Sequence, residues 1–236
     1  MSSAASGAPD GVAPFDRAAI PPLVDAVAAS FAAPPWDREI ARAREEFDRQ
    51  RGRVFDDEEL FADHMAAFLE RYTLERPLPD GQPPVIVELA RSGQTDPLLL
   101  ALARSQRGLF ELLDLVPRGL LLADLIGGGR WRVERDAPRD GLKPGEIFEG
   151  RLIPWAGRVE LGPVTCWHPR EAAGWIHQIV RQAAESGRLG PRLIDELSMM
   201  RLKHSRFRNI AISRIYETHD PPAGCSGAVE SRPGGV

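Results

Sequence analysis

Cys166 and His168 stand two residues apart, and Glu171 follows three beyond the histidine, with His177 further on. A thiol, an imidazole and a carboxylate are the groups from which a zinc site or an activated thiolate is assembled. On a strand, residues i and i+2 point to one side. Cys166 and His168 would therefore share a face, with Glu171 one turn into the element that follows. The spacing weakens both chemistries. Two strand residues span roughly 7 Å, too far for the imidazole to take the thiol proton without a bend. His177 lies off the i, i+3/i+4 face of Glu171. The plainer reading is a buried thiol acting as a small apolar group and a histidine near a helix start. A hydrolase or metal-dependent enzyme centred on Cys166, His168 and Glu171 is the alternative.

Other catalytic patterns are missing. No Gly-x-x-x-x-Gly-Lys-Ser/Thr and no Gly-x-Gly-x-x-Gly between strand and helix occurs. Gly127-Gly128-Gly129 precedes Arg130 and a strand, so it reads as a hairpin turn. No Gly-x-Ser-x-Gly elbow is present. Glu59, Asp63 and His64 lie close together without a Glu-x-x-His or His-Glu-x-x-His spacing, and they read as a solvated face. The sequence implies no cofactor.

The sharpest asymmetry is electrostatic. Between Met199 and Tyr216 stand Arg201, Lys203, Arg206, Arg208 and Arg214 with no acidic residue, on a chain of formal net charge −4. Leu193, Leu197, Met200, His204 and Phe207 recur at helical spacing and predict one apolar stripe. That stripe would turn Arg201, Lys203 and Arg208 outward, with Arg206 at its margin, where with Arg214 they could grip phosphates or an acidic protein surface. The competing reading has the same cations covering the acidic stretches 37–50 and 56–75 of the chain.

These side chains need a scaffold, and the bulk numbers say which kinds are excluded. The 236 residues are 43% hydrophobic and 27% charged, ordinary for a globular chain and unlike a collagen or a disulfide scaffold. Two cysteines, Cys166 and Cys225, far apart, do not make an all-cysteine zinc site. All but two of the 30 basic residues are arginine, which fits an arginine-biased bacterial composition. Met1–Asp10 has no basic start and apolar core, and no run approaches the ~18 apolar residues of a membrane helix. The expectation is a soluble cytoplasmic protein without a membrane partner.

The pattern along the chain divides it further. Residues 1–14 and 221–236 are small, polar and proline-containing, and are expected to be disordered. A helical region spans 15–116. Its helices start at Ile20, with prolines at 21 and 22, at Asp37 and at Asp56-Asp57. A short helix follows at Val85–Arg91, and Asp96-Pro97 opens the last, which fades near Leu113. From 117 to 168 the period falls toward two. Strands are predicted at Leu120–Ile126, Trp131–Arg135, Glu146–Ile153, Arg158–Leu161 and Val164–Trp167, and they should close into a small antiparallel barrel or curled sheet. Two helices occupy 169–220. The fold class is α+β.

Leu120-Leu121-Leu122-Ala123-Asp124-Leu125-Ile126-Gly127-Gly128, then Trp131-Arg132-Val133, then Leu142-Lys143-Pro144-Gly145-Glu146 through Arg151-Leu152-Ile153-Pro154 form a recognisable order. It resembles uncharacterised bacterial proteins in which a helical region precedes a small barrel, some of which end in a SEC-C zinc motif. The likeness covers about residues 55–185. This chain lacks the SEC-C cysteines, so the resemblance implies architecture and transfers no functional residue. Together these readings favour a non-enzymatic interaction module, binding a protein or nucleic acid through the barrel and the basic segment 199–216.

Overall fold

The computed structural model describes residues 14–134 and 141–217, so the two terminal stretches expected to be disordered lie almost wholly outside the described residues. The fold is α+β. A layer of five helices comes first: α1 (Ile20–Ser30), α2 (Asp37–Arg51), α3 (Phe61–Leu74), α4 (Pro84–Arg91) and α5 (Pro97–Ala103). Asp96 opens α5, its Oδ1 accepting from the backbone N–H groups of Leu98 and Leu99 at 2.8 and 3.1 Å, with Pro97 in the position where no N–H is needed. Helix α3 starts at Phe61 rather than at Asp56-Asp57, because the five residues between form turns.

Among the described residues six strands occur: β1 (Gln106–Val116), β2 (Gly119–Asp124), β3 (Arg130–Glu134), β4 (Ile147–Trp155), β5 (Arg158–Leu161) and β6 (Cys166–Trp167). The order is β1-β2-β3-β5-β4-β6, and β1 also pairs with β4, so five strands form a closed ring of pairings. All pairings are antiparallel except β3–β5, which is parallel and makes the sheet mixed. Strand β1 corrects the expectation of a helix fading near Leu113. Helix α5 ends at Ala103, and residues 106–116 pair with both β2 and β4. At the β2–β3 turn the Asp124 carboxylate accepts from Ile126 and Gly127 N–H at 2.9 and 2.8 Å, and Gly128 and Gly129 take the positive φ that the turn requires.

Strand β4 sits in the middle and serves two sides. Phe148 and Leu152 face the ring interior with Phe110, Leu112, Leu120, Leu122, Val133 and Leu161. Burying a side chain of this size contributes about 1.5–3 kcal/mol. Gly108 lies opposite Gly150 in the β1–β4 register, and a Cβ at Gly108 would meet Phe110 Cζ at 2.5 Å, so the missing side chain makes room for the aromatic packing. On the other side of β4, Ile153 and Trp155 join the helical core of Ile20, Phe31, Phe47, Phe68 and Tyr72. Ile147 joins a third cluster with Leu109 and the C-terminal helices. Those helices are α6 (Ala173–Glu185), α7 (Pro191–Arg206) and the short α8 (Ile212–Tyr216), one helix more than the sequence predicts. Among the described residues no helix is long and apolar enough to cross a membrane.

Candidate functional site: a buried ion network and an apolar groove

Between Ile147 and Ile153 the face of β4 that meets the helices carries Glu149 and Arg151, both buried. Around them the fold gathers a network of opposite charges. The Glu149 carboxylate pairs with Arg51 of α2, accepts from Arg107 of β1 at 3.2 Å, and accepts from the Ser198 hydroxyl of α7 at 2.8 Å. Asp195 of α7 receives Arg71 of α3 at 2.8 Å and Arg107 at 3.0 Å. Arg151 donates to Glu70 at 3.3 Å and also pairs with Glu75. Burial alone would push the Glu149 carboxyl up, but the Arg51 and Arg107 guanidiniums and the Ser198 hydroxyl overcome it and bring it down to about 2. For Glu70 burial wins over Arg151, and its carboxyl is pushed up to about 7. Paired in this way, buried charges avoid the cost of isolated ones and fix how the two layers meet.

Sequence reasoning passed over this network. Arg51, Glu70 and Arg71 lie on amphipathic helices where charges usually mark solvent, and their partners are 80 to 150 residues away. Two signals were present: Glu149 and Arg151 at alternate positions of an otherwise apolar strand, and Asp195 between Ile194 and Leu197.

Three of the five cations of segment 199–216 are engaged within the chain. Arg201, expected to face outward, has a side chain only 15% exposed and donates to Asp63 at 2.8 Å. Arg206 forks onto Glu58 and also reaches the carbonyl of Arg53, holding the Glu58 carboxyl down to about 2. Arg208 pairs with Glu59 at the surface. The acidic approach to α3 is thus covered by these arginines.

Lys203 and Arg214 are placed differently: both are exposed, and neither has an ion pair among the described residues. They line a groove of about 840 Å³ between α7 and α8, whose apolar surface comes from Met199, Met200, Ile210 and Ile215 and whose charged lining also includes Arg188, Glu196 and Glu217. Phe207, expected on the buried stripe, also lines it at 49% exposure. Helix α7 stops at Arg206 and Phe207 leaves helical geometry (φ −120°, ψ 58°), so the 3.6-residue phase no longer applies to it. The side buried instead carries Leu193, Ile194, Leu197 and Leu202.

Cys166, His168 and Glu171 do not converge. The Cys166 thiol is buried, and desolvation, aided by the Glu149 charge, pushes it up to about 12. His168 is buried with Nδ1 3.2 Å from the Tyr216 hydroxyl, and burial beside Arg201 and Arg51 holds its imidazole down to about 3, hence neutral. Glu171 is exposed, in a short 3-10 turn (Arg170–Ala172). Among the described residues no group of three His, Cys, Asp or Glu side chains is placed to hold a metal ion. A neutral imidazole and an un-ionised thiol, both enclosed, have neither the charge nor the access that thiolate catalysis requires.

No protein-family model, curated protein or solved structure matches the chain.

Proposed function

We propose that the chain is a cytoplasmic, non-enzymatic interaction module, and that the groove between α7 and α8 takes an acidic, amphipathic segment of a partner protein. The observation that carries this reading is a roomy apolar groove lined by Arg188, Lys203 and Arg214 against Glu196 and Glu217, in which Glu196 is already paired with Arg192 while Lys203 and Arg214 are exposed without an ion pair among the described residues. A helix laid in such a groove would present apolar anchors at i, i+3 and i+4, with carboxylates reaching the rim cations. Nucleic acid is the weaker fit. Arg201, Arg206 and Arg208 already neutralise acidic side chains of the same chain, which leaves few cations to release counterions from phosphates.

The test is selection from a displayed library of helical peptides against the immobilised full-length chain. Enriched peptides should combine apolar anchors at helical spacing with Asp or Glu. Phe207→Asp should abolish their binding, and Lys203→Glu with Arg214→Glu should turn the preference toward basic peptides. No enrichment, or enrichment indifferent to these changes, would overturn the proposal. So would tight, steeply salt-dependent binding of a mixed RNA and DNA pool, or a dimer in solution that Phe207→Asp dissolves, since that would give the groove to a second copy.

A further inference from the structure

Two of the three methionines among the described residues, Met199 and Met200, stand side by side in the lining of the groove between α7 and α8. Both are half-buried, and Met200 also packs against the cluster of Leu193, Leu197 and Tyr216. The third, Met65, is placed differently: its sulfur accepts from the Arg44 guanidinium, and its side chain packs against the helical core. A thioether is apolar, polarizable and flexible, which suits the floor of a groove that must mould to a partner. The same sulfur is open to oxidation wherever reagents can reach its lone pairs.

The helix sets a second group beside both methionines. Lys203 stands four residues beyond Met199 and three beyond Met200, the two spacings that make neighbours on an α-helix. It is exposed and has no ion pair among the described residues. A sulfoxide oxygen formed on either methionine is a polar acceptor placed next to that ammonium group.

We propose that Met199 and Met200 form a modification site at which a hydroperoxide converts the thioethers to sulfoxides and so empties the groove; the release rests on the groove being a docking site. A sulfur lone pair attacks one oxygen of the hydroperoxide, and the S–O bond forms as the O–O bond breaks. The hydrogen on the attacked oxygen passes to the departing one, which leaves as water or an alcohol. Sulfur loses two electrons and the peroxide gains them. The floor then carries S–O dipoles that an apolar anchor leaves unpaired, and Lys203 donates to them instead of to a partner's carboxylate.

Hydrogen peroxide applied to the full-length chain, followed by peptide mapping by mass spectrometry, tests the site without any partner. Met199 and Met200 should be oxidised at least about fivefold faster than Met65 in the folded chain, and all three at equal rates in denaturing urea. The oxidised chain should keep its circular dichroism yet bind a library-selected helical peptide at least about tenfold more weakly, as expected when a polar group is buried unpaired. Methionine sulfoxide reductase should restore that binding. Met199→Leu with Met200→Leu conserves volume, should bind the same peptide, and should not respond to peroxide, which separates the methionines from Cys166 and Cys225. Equally fast oxidation of Met65 in the folded chain, or undiminished binding once Met199 and Met200 are oxidised, would overturn the proposal. So would loss of binding only together with loss of circular dichroism, or an equal response of the leucine variant. Failure to select any peptide would instead remove the docking role and the release with it, and the relative oxidation rates would still decide the modification site.

Discussion

Glu149→Gln removes one negative charge from the centre of the ion network while keeping the shape of the side chain. Arg51 and Arg107 then stay buried, with Asp195 and Glu75 as their remaining carboxylates. Breaking a buried pair by removing one partner costs roughly 3–5 kcal/mol. Independently, a carboxyl lowered from 4.5 to about 2 by folding is linked to about 3 kcal/mol of stability at neutral pH. The agreement sets the expectation at about 3 kcal/mol or somewhat more, read from urea denaturation at pH 7 with an unchanged slope. The sign with pH follows from the depressed carboxyl. Its stabilisation is complete above 4.5 and fades as pH falls toward 2, so the gap between wild type and variant should shrink to less than half by pH 3. A loss below about 1 kcal/mol, the value of an exposed pair, would refute the reasoning. So would a gap that does not change between pH 7 and pH 3.

Three further outcomes are expected. Glu70 is pushed up to about 7 by burial, so the stability linked to its neutral form is complete below 4.5 and is lost as pH rises through 7; Glu70→Gln should flatten that decline, measured by urea midpoints between pH 5 and 8. The His168 imidazole, held down to about 3, should show no titration of its ring proton between pH 5 and pH 8 in the folded chain, and a normal midpoint in 8 M urea would confirm that the fold is responsible; a folded midpoint near 6.5 would contradict the burial described here. The Cys166 thiol, pushed up to about 12 and buried, should react with a thiol reagent at pH 8 at least a hundredfold more slowly in the folded chain than in urea, followed by mass spectrometry to separate it from Cys225.

Most secondary structure was legible because proline, glycine and aspartate punctuate it. Pro21-Pro22, Asp96-Pro97 and Gly190-Pro191 each mark a helix start within a residue or two of the observed one. The paired β2–β3 and β4–β5 strands follow from Gly127–Gly129 and from Ala156-Gly157, both of which supply left-handed backbone. Strand β1 was not legible. The polar run Arg104–Gly108 separates its leucines from those of α5 but reads equally well as a solvated helical turn, and the partner that settles its conformation, β4, arrives some 40 residues later. The ion network failed for the same reason, since a charged residue on an amphipathic helix shows nothing local that tells a solvated face from a buried pair. Segment 199–216 was half legible: its excess of positive charge is plain in the sequence, but which cations have partners depended on where Asp63, Glu58 and Glu59 come to lie.

The alternation along β4 has a consequence for how the chain can vary. One residue inserted or deleted within this strand would turn Glu149 and Arg151 into the aromatic interior of the ring and send Phe148 and Leu152 among the guanidiniums. Both sides would be ruined at once, so the wrong register has no partial refuge. The charges therefore act as a key that admits one alignment, and a cut at residue 117 would sever β1 from the ring it closes. Length changes among relatives of this chain should accumulate in the turns and leave residues 147–155 without gaps.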